Sequence, residues 1–445
     1  MRRRPSRSLR SLALSLPIAL PVALAGALLP LASPALAQAQ AQAQAEPLPR
    51  AAPDAVGFAD AGLARIDAFF AREIAQRRVP GAVVGIAREG KLVYFKSFGL
   101  LDPAKGTSMP LDAIFALASM TKPMTAVGVL ELTQEGRLPL HAPLADVFPA
   151  FAQMKVAVKQ PDGGLAYEAQ KRPIAIQDLL RHTSGLTYPG RADTGGAASN
   201  LYPGGEAFQA MKSSSEYIDV VTKLPLVWQP GTVFEYSQSF DVLSAVVEKV
   251  SGRTLGAHLD ATVWKPLGMR DTTFHVPADK LARIARPFAA NPLDGKPQRI
   301  TTIEGDSGFE CGGACAKGTV GDYLRFGQML LDGGALDGVR ILSPQMVQLM
   351  TSNHLGKDIV NRVAVVEPHR DGYGFGLGVA VRVEPGLASV PGNVGEYSWN
   401  GAFGTGFFAD PKAKLVVVFG TAAPGELRKY YREQVQDLVY GAMTR

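Results

Sequence analysis

The sequence predicts an α/β protein: one antiparallel sheet flanked by helices takes strands from both ends of the chain, and a mostly helical second domain is inserted between them. Three observations predict it. The apolar run Gly81–Arg88, a Glu-Gly turn and a second strand-like run over 91–97 read as a hairpin. Strand-like alternation and long apolar runs return only after about residue 370. Between them, from about 125 to 300, the apolar spacing is helical and broken by loops.

The chain has 445 residues, 47% of them hydrophobic, which is ample for a large core. It opens on MRRRPSRSLR, a basic head, followed by an apolar run over 12–31 that closes on Ala35-Leu36-Ala37. Residues 1–37 therefore read as a signal peptide, and the mature protein is expected in the periplasm or secreted. Pro17, Pro21 and Pro30 argue against a membrane anchor, so no span is expected after cleavage. The arginines near the start leave a twin-arginine route open beside the general one. The repeat QAQAQAQA introduces a linker over 38–50 that is expected to be disordered.

Five arginines and no acidic residue lie in the leader, so the formal charge of +6 falls to +1 in the mature chain. No basic field remains to suggest a nucleic-acid partner. The six histidines show no ligand spacing, so no metal is expected, and nothing suggests a cofactor. Cys311 and Cys315 enclose Cys-Gly-Gly-Ala-Cys; in an oxidising compartment they could bridge, and otherwise they stay thiols.

Taken in order, Phe58, Leu63, Ile66, Phe69, Phe70 and Ile74 mark an N-terminal amphipathic helix over 58–78. The hairpin follows, then a short strand over 114–117. The α/β domain is expected over 51–124 and 300–445, and the helical domain over 125–299. Within the latter, helices are expected near 176–180, 215–223 and 239–250, the last closed by Ser251-Gly252. Residues 185–210, rich in Gly, Ala, Tyr and Pro, read as a long surface loop. Strands are expected in 372–383, 395–411 and 414–422, and a closing amphipathic helix over 426–443.

Ser119-Met120-Thr121-Lys122 is where chemistry concentrates. A Ser and a Lys three apart sit one above the other on a helix, so a buried amine can take the proton of a hydroxyl that is otherwise a poor nucleophile. Ala126, Val127, Val129, Leu130 and Leu132 continue it as an amphipathic helix that stops near Gly136, and Ser119 stands at its N-terminus, where developing negative charge is favoured. Tyr236, just before another helix, could serve as base or proton relay. Trp399-Asn400-Gly401-Ala402 could turn backbone N–H groups toward Ser119 and hold an oxyanion.

In this order and spacing the motifs resemble the serine β-lactamase and penicillin-binding-protein superfamily, over nearly the whole mature chain. Ser119 and Lys122 match its first motif, Ser-x-x-Lys. Tyr236 matches the second, Tyr-x-Asn, with Gln238 where Asn is usual. Trp399-Asn400-Gly401 falls where the third, usually Lys-Thr-Gly, is found. Residues 179–186, LLRHTSGL, look like the class C-like branch, and the Trp-x-Gly third motif looks like family VIII carboxylesterases. The resemblance implies a β-lactamase-like α/β sandwich with the site between it and the helical domain. It implies acyl transfer: Ser119 attacks, Lys122 and Tyr236 move the proton, and the Ser119 and Ala402 N–H groups hold the oxyanion. Gln238, Trp399, Asn400 and Gly401 are expected to bind substrate, a small-molecule ester or β-lactam-like compound. His182 is read as a loop-structuring residue. An exported carboxylesterase on small neutral esters is the leading expectation. A β-lactamase or a D-amino-acid-specific peptidase or transpeptidase is the alternative, and a non-catalytic penicillin-binding-like module the third.

Overall fold

The computed structural model describes residues 46–191, 196–304 and 308–445; the leader over 1–37 and the linker up to residue 45 lie outside the described residues. In chain order come α1 (Asp60–Ala75), β1 (Gly81–Arg88), β2 (Lys91–Asp102), β3 (Thr107–Ser108), β4 (Phe115–Ala116) and α2 (Thr121–Gln134). The hairpin β5 (Lys155–Lys159) and β6 (Leu165–Ala169), α3 (Ser239–Ser251), β7 (Lys317–Gly318) and α4 (Val320–Leu331) follow. The last part holds the hairpin β8 (Ala335–Leu336) and β9 (Val339–Arg340), then β10 (Tyr373–Phe375), β11 (Ala380–Arg382), β12 (Tyr397–Asn400), β13 (Thr405–Asp410), β14 (Leu415–Thr421) and α5 (Leu427–Tyr440).

The main sheet has eight strands in the order β10-β11-β12-β13-β14-β1-β2-β3, its pairs antiparallel. The first and last parts of the described chain meet where β1 pairs with β14, Val84 opposite Phe419. That central position explains why both strands read as unbroken apolar runs: each face of the sheet is covered. Val84, Ile86, Val417 and Phe419 pack with Ile66 and Phe70 of α1 and Tyr431 and Val435 of α5. Val83, Ala87, Val416 and Val418 point the other way, into the core that holds Tyr323 and Leu324 of α4. Gly85 lets α4 approach, since a Cβ there would lie 2.4 Å from Leu324 Cδ1. The β1–β2 turn places Glu89 at φ 53° and Gly90 at φ 73°, the left-handed pair whose twist suits a tight hairpin.

Four expectations are corrected. α2 is not amphipathic: every residue from 121 to 132 is buried, because the helix runs through the core with α3 on one side and Leu259 and His258 over Gly128 on another. Residues 46–50, expected to belong to a disordered linker, are packed on the fold: Leu48 is buried, Pro47 O accepts from Arg325 Nη1 at 2.7 Å, and Arg50 bridges to Leu92. Within the region expected to be mostly helical lies a hairpin that was not expected, β5 and β6, paired from Lys155–Ala169 to Lys159–Leu165. The segment from 185 is not wholly a surface loop, since Leu186 and Thr187 are fully buried and the chain turns inward there. One continuous apolar core runs from β1 through α2 to α3, so the sheet and helical regions differ in secondary structure but share a core. Among the described residues no helix is long and apolar enough to cross a membrane.

Candidate active site

Ser119 sits in a single 3₁₀ turn, Ala118–Met120, that leads directly into α2. Ala118 has φ 46°, an uncommon conformation for a residue with a Cβ. The surroundings impose it: Thr121 Oγ1 donates to Ala118 O at 2.7 Å and accepts from Ala316 N at 3.1 Å, while Tyr323 OH donates to Met120 O at 2.9 Å. Among the described residues the Ser119 N–H makes no backbone hydrogen bond.

One turn on, Lys122 is fully buried. Its Nζ donates to Gly313 O at 2.7 Å, to Tyr188 OH at 3.1 Å and to Ser119 Oγ at 3.5 Å. It also lies 4.6 Å from the centroid of the Tyr236 ring. The structure thus brings Ser119, Lys122 and Tyr236 together, with Tyr188 beside them. Burial, and after it the Asp241 carboxylate, pushes the Tyr188 phenol well above its ordinary value, so it stays protonated. Sequence reasoning missed Tyr188. The available signal was its place two residues after the matched LLRHTSGL segment.

That segment is held by Asp178, which accepts from Arg172, Arg181 and Thr183. Burial alone would raise the Asp178 carboxyl, but Arg172, the Ala175 N–H and Arg181 hold it below the usual range. His182 is fully buried and its pKa is pushed well down, chiefly by burial and then by Lys122, so the ring is neutral. Its Nδ1 takes the Ser237 N–H at 3.3 Å, and its ring packs 4.7 Å from that of Tyr236. It supports the tyrosine from behind.

The acceptor for Lys122 comes from the Cys311–Cys315 loop, which the structure closes as a disulfide. Gly312 N donates to Ser244 Oγ at 2.6 Å, Thr125 Oγ1 donates to Gly312 O at 2.9 Å, and Gly313 N donates to Asp241 Oδ1 at 2.9 Å. Neither glycine has room for a side chain: a Cβ on Gly313 would sit 2.6 Å from Asp241 Oδ1 and one on Gly312 2.7 Å from Ser244 Oγ.

Opposite Ser119 lies the β12–β13 turn. Gly401 allows the close approach, since a Cβ there would fall 2.5 Å from Leu117 O. Thr405 Oγ1 donates to that same carbonyl at 3.2 Å. Ala402 is exposed, and its N–H makes no backbone hydrogen bond among the described residues. The backbone N–H groups of Ser119 and Ala402 are thus both without a backbone partner among the described residues.

The expected substrate-binding side chains are engaged elsewhere. Gln238 is buried; its Nε2 donates to Pro203 O at 2.7 Å and its Oε1 accepts from Tyr217 OH at 3.2 Å. Trp399, only 2% exposed, donates from Nε1 to Tyr236 OH at 3.2 Å and is enclosed by Phe375, with the Arg370 guanidinium 4.8 Å over its ring. Asn400, on the alternate face of β12, satisfies both ends of its amide when the oxygen accepts from Arg370 Nη2 at 2.9 Å and the nitrogen donates to Trp399 O at 3.2 Å. Gly401 contributes backbone alone. Each of these side-chain polar ends already has a partner within the protein.

A family model described as Beta-lactamase matches residues 66–439. An uncharacterized protein of Mycobacterium tuberculosis is 35% identical over 349 residues, covering 76% of this chain and 84% of that protein. Esterase EstB of Burkholderia gladioli is 31% identical over 392 residues, covering 83% and 93% respectively. The solved structure of EstCE1, described as a hydrolase with promiscuous acyltransferase activity, has a TM-score of 0.68 at 26% identity, covering 85% of this chain and 98% of that one. With the family match spanning most of its length and a buried lysine one helical turn from its serine, this chain belongs to the beta-lactamase family and is a serine hydrolase.

Proposed function

We propose that the protein is an exported carboxylesterase that cleaves small neutral esters through an acyl-enzyme at Ser119. Lys122 takes the Ser119 proton while Oγ bonds to the ester carbonyl carbon. The carbonyl oxygen gains the negative charge and is received by the Ser119 and Ala402 N–H groups. Collapse breaks the bond to the alkoxy oxygen, which leaves as alcohol with the proton returned by way of Lys122 and the tyrosine hydroxyls. Water then attacks the acyl carbon, and acid and free Ser119 result.

What carries the choice of a neutral ester is Trp399. In β-lactamases and wall peptidases, as the resemblance implies, a lysine at this position helps to bind a substrate carboxylate. Here the position holds an indole without charge, whose one donor is committed to Tyr236. A charge-assisted hydrogen bond contributes roughly 1.5–3 kcal/mol, so carboxylate-bearing substrates lose about ten- to a hundredfold in affinity. The similarity to Esterase EstB supports the same choice. Short-chain p-nitrophenyl esters should therefore show a higher kcat/KM than a chromogenic cephalosporin on one preparation; a faster cephalosporin overturns the esterase reading in favour of a β-lactamase. Export is supported by the leader pattern over 1–37, and exported material that still begins at Met1 would count against it.

A further inference from the structure

Behind the β12–β13 turn lies a buried ion pair that the mechanism above does not use. Arg432, on α5, is only 5% exposed, and Glu367, just after residues 363–366, only 7%. Arg432 Nη1 donates to Glu367 Oε1 at 2.5 Å. Its other arm, Nη2, donates to Gly401 O at 2.6 Å. A buried ion pair is weak support for stability, because desolvation offsets much of the attraction. Its contact with a backbone carbonyl of the oxyanion turn is what needs an account.

The peptide joining Gly401 to Ala402 is trans, there being no cis bond among the described residues. In a trans peptide the C=O and the N–H point in opposite directions. Whatever fixes the Gly401 carbonyl therefore aims the Ala402 N–H. That carbonyl takes the Arg432 donor on one side and the Gly404 N–H at 3.2 Å on the other, while Gly401 N donates to Thr405 O at 2.8 Å. The peptide plane is thus pinned from its rear, and the Ala402 N–H is left free and exposed on the far side. A cationic donor on the carbonyl also polarises the amide, and such coupling strengthens the second hydrogen bond by roughly 10–30%.

We infer that Arg432, oriented by Glu367, is a positioning residue that aims and polarises the Ala402 N–H of the oxyanion hole through the Gly401 carbonyl. The inference rests on the acyl-transfer reading given above. It does not depend on whether the acyl donor is an ester or a β-lactam.

An oxyanion donor acts in the transition state and not on the bound substrate, which separates this role from a merely structural one. Removing such a donor outright costs about 10²–10³ in kcat. Misaiming it costs less. Arg432→Met in the full chain should lower kcat about 10- to 100-fold with KM within threefold of the parent. The affinity for an alkyl boronic acid, which forms a tetrahedral adduct on a reactive serine, should fall in proportion. Glu367→Gln should lose about three- to tenfold in the same two quantities. A folded Arg432→Met protein that keeps kcat and boronate affinity within threefold overturns the inference. So does a loss confined to KM. If Arg432→Met does not fold, Glu367→Gln decides by the same readouts, and unchanged values overturn it. The wild-type ratio of ester to cephalosporin rates judges the substrate class separately. The variant-to-parent ratio is read on whichever substrate the parent turns over, and boronate binding needs no turnover.

Discussion

Lys122 is caught between three acceptors of different kinds: a backbone carbonyl, a phenol and the nucleophile itself. The longest of these contacts, to Ser119, is the one the chemistry uses, and the other two set its direction. Removing Tyr188's hydroxyl leaves the amine one partner fewer and free to turn from Ser119. Tyr188→Phe should therefore lower kcat about tenfold against a Ser119→Ala baseline that shows no turnover, with little change in melting temperature; a variant at full rate would remove Tyr188 from the proton path. Ser119 and Lys122 were legible because the contact that matters is local, three residues apart on one helix. Tyr188 was not, because it reaches Lys122 through a chain reversal that no spacing announces. Trp399 was legible as a position, but the partner of its indole N–H was not. Which way an indole N–H points depends on a partner 163 residues away.

At the scale of elements, three segments meet around the amine: α2 carries it, α3 supplies Asp241, and the disulfide-closed loop supplies Gly313. Asp241 is buried at 1% exposure, and its carboxyl is pushed up to about 6, chiefly by burial, against the pull of Lys122. An acid that ionises higher in the fold than in the unfolded chain gives stability that is whole below the unfolded value of 3.8 and is lost as pH rises through about 6. Asn keeps the oxygen that accepts from Gly313 N and does not ionise. Relative to the parent, Asp241→Asn should gain roughly 3 kcal/mol between pH 3.5 and pH 7.5, at about 1.4 kcal/mol per pH unit. Urea unfolding at the two pH values measures it, and a flat difference would mean that burial does not raise the Asp241 carboxyl above its unfolded value. The α2 helix shows what periodicity misses: its stripe of Val and Leu was visible, but Thr121, Lys122 and Thr125 are equally buried because their polar atoms are bonded within the core. The hairpin of β5 and β6 was recoverable, since KVAVK and LAYEA alternate about a Pro-Asp-Gly-Gly turn.

For the molecule as a whole, the central strands β1 and β14 lie more than 320 residues apart in sequence and side by side in the sheet. That pairing was readable, because both runs are apolar without alternation and so need cover on two faces. What composition could not show is that helical and sheet regions would share one core, with α2 as the common element. The fold's long-range pairing also makes its function depend on its last helix. α5 covers one face of the sheet and sends Arg432 to the turn beside Ser119.

The five-residue clip from Cys311 to Cys315 has a consequence for when the enzyme is competent. Freshly made in a thiol-rich cytosol, the chain has no covalent clasp there, and the carbonyl that steadies the amine is held by hydrogen bonds alone. On the proposed export route, the bridge closes only after the chain leaves that compartment, and ester hydrolysis is expected to rise several-fold when it does. Incubation with a reductant should lower ester hydrolysis several-fold without unfolding the protein, and reoxidation should restore it. Cys311→Ser should be slow under both conditions. Activity indifferent to reductant, with both thiols shown by mass to have been freed, would mean that hydrogen bonds alone suffice to set the clock running.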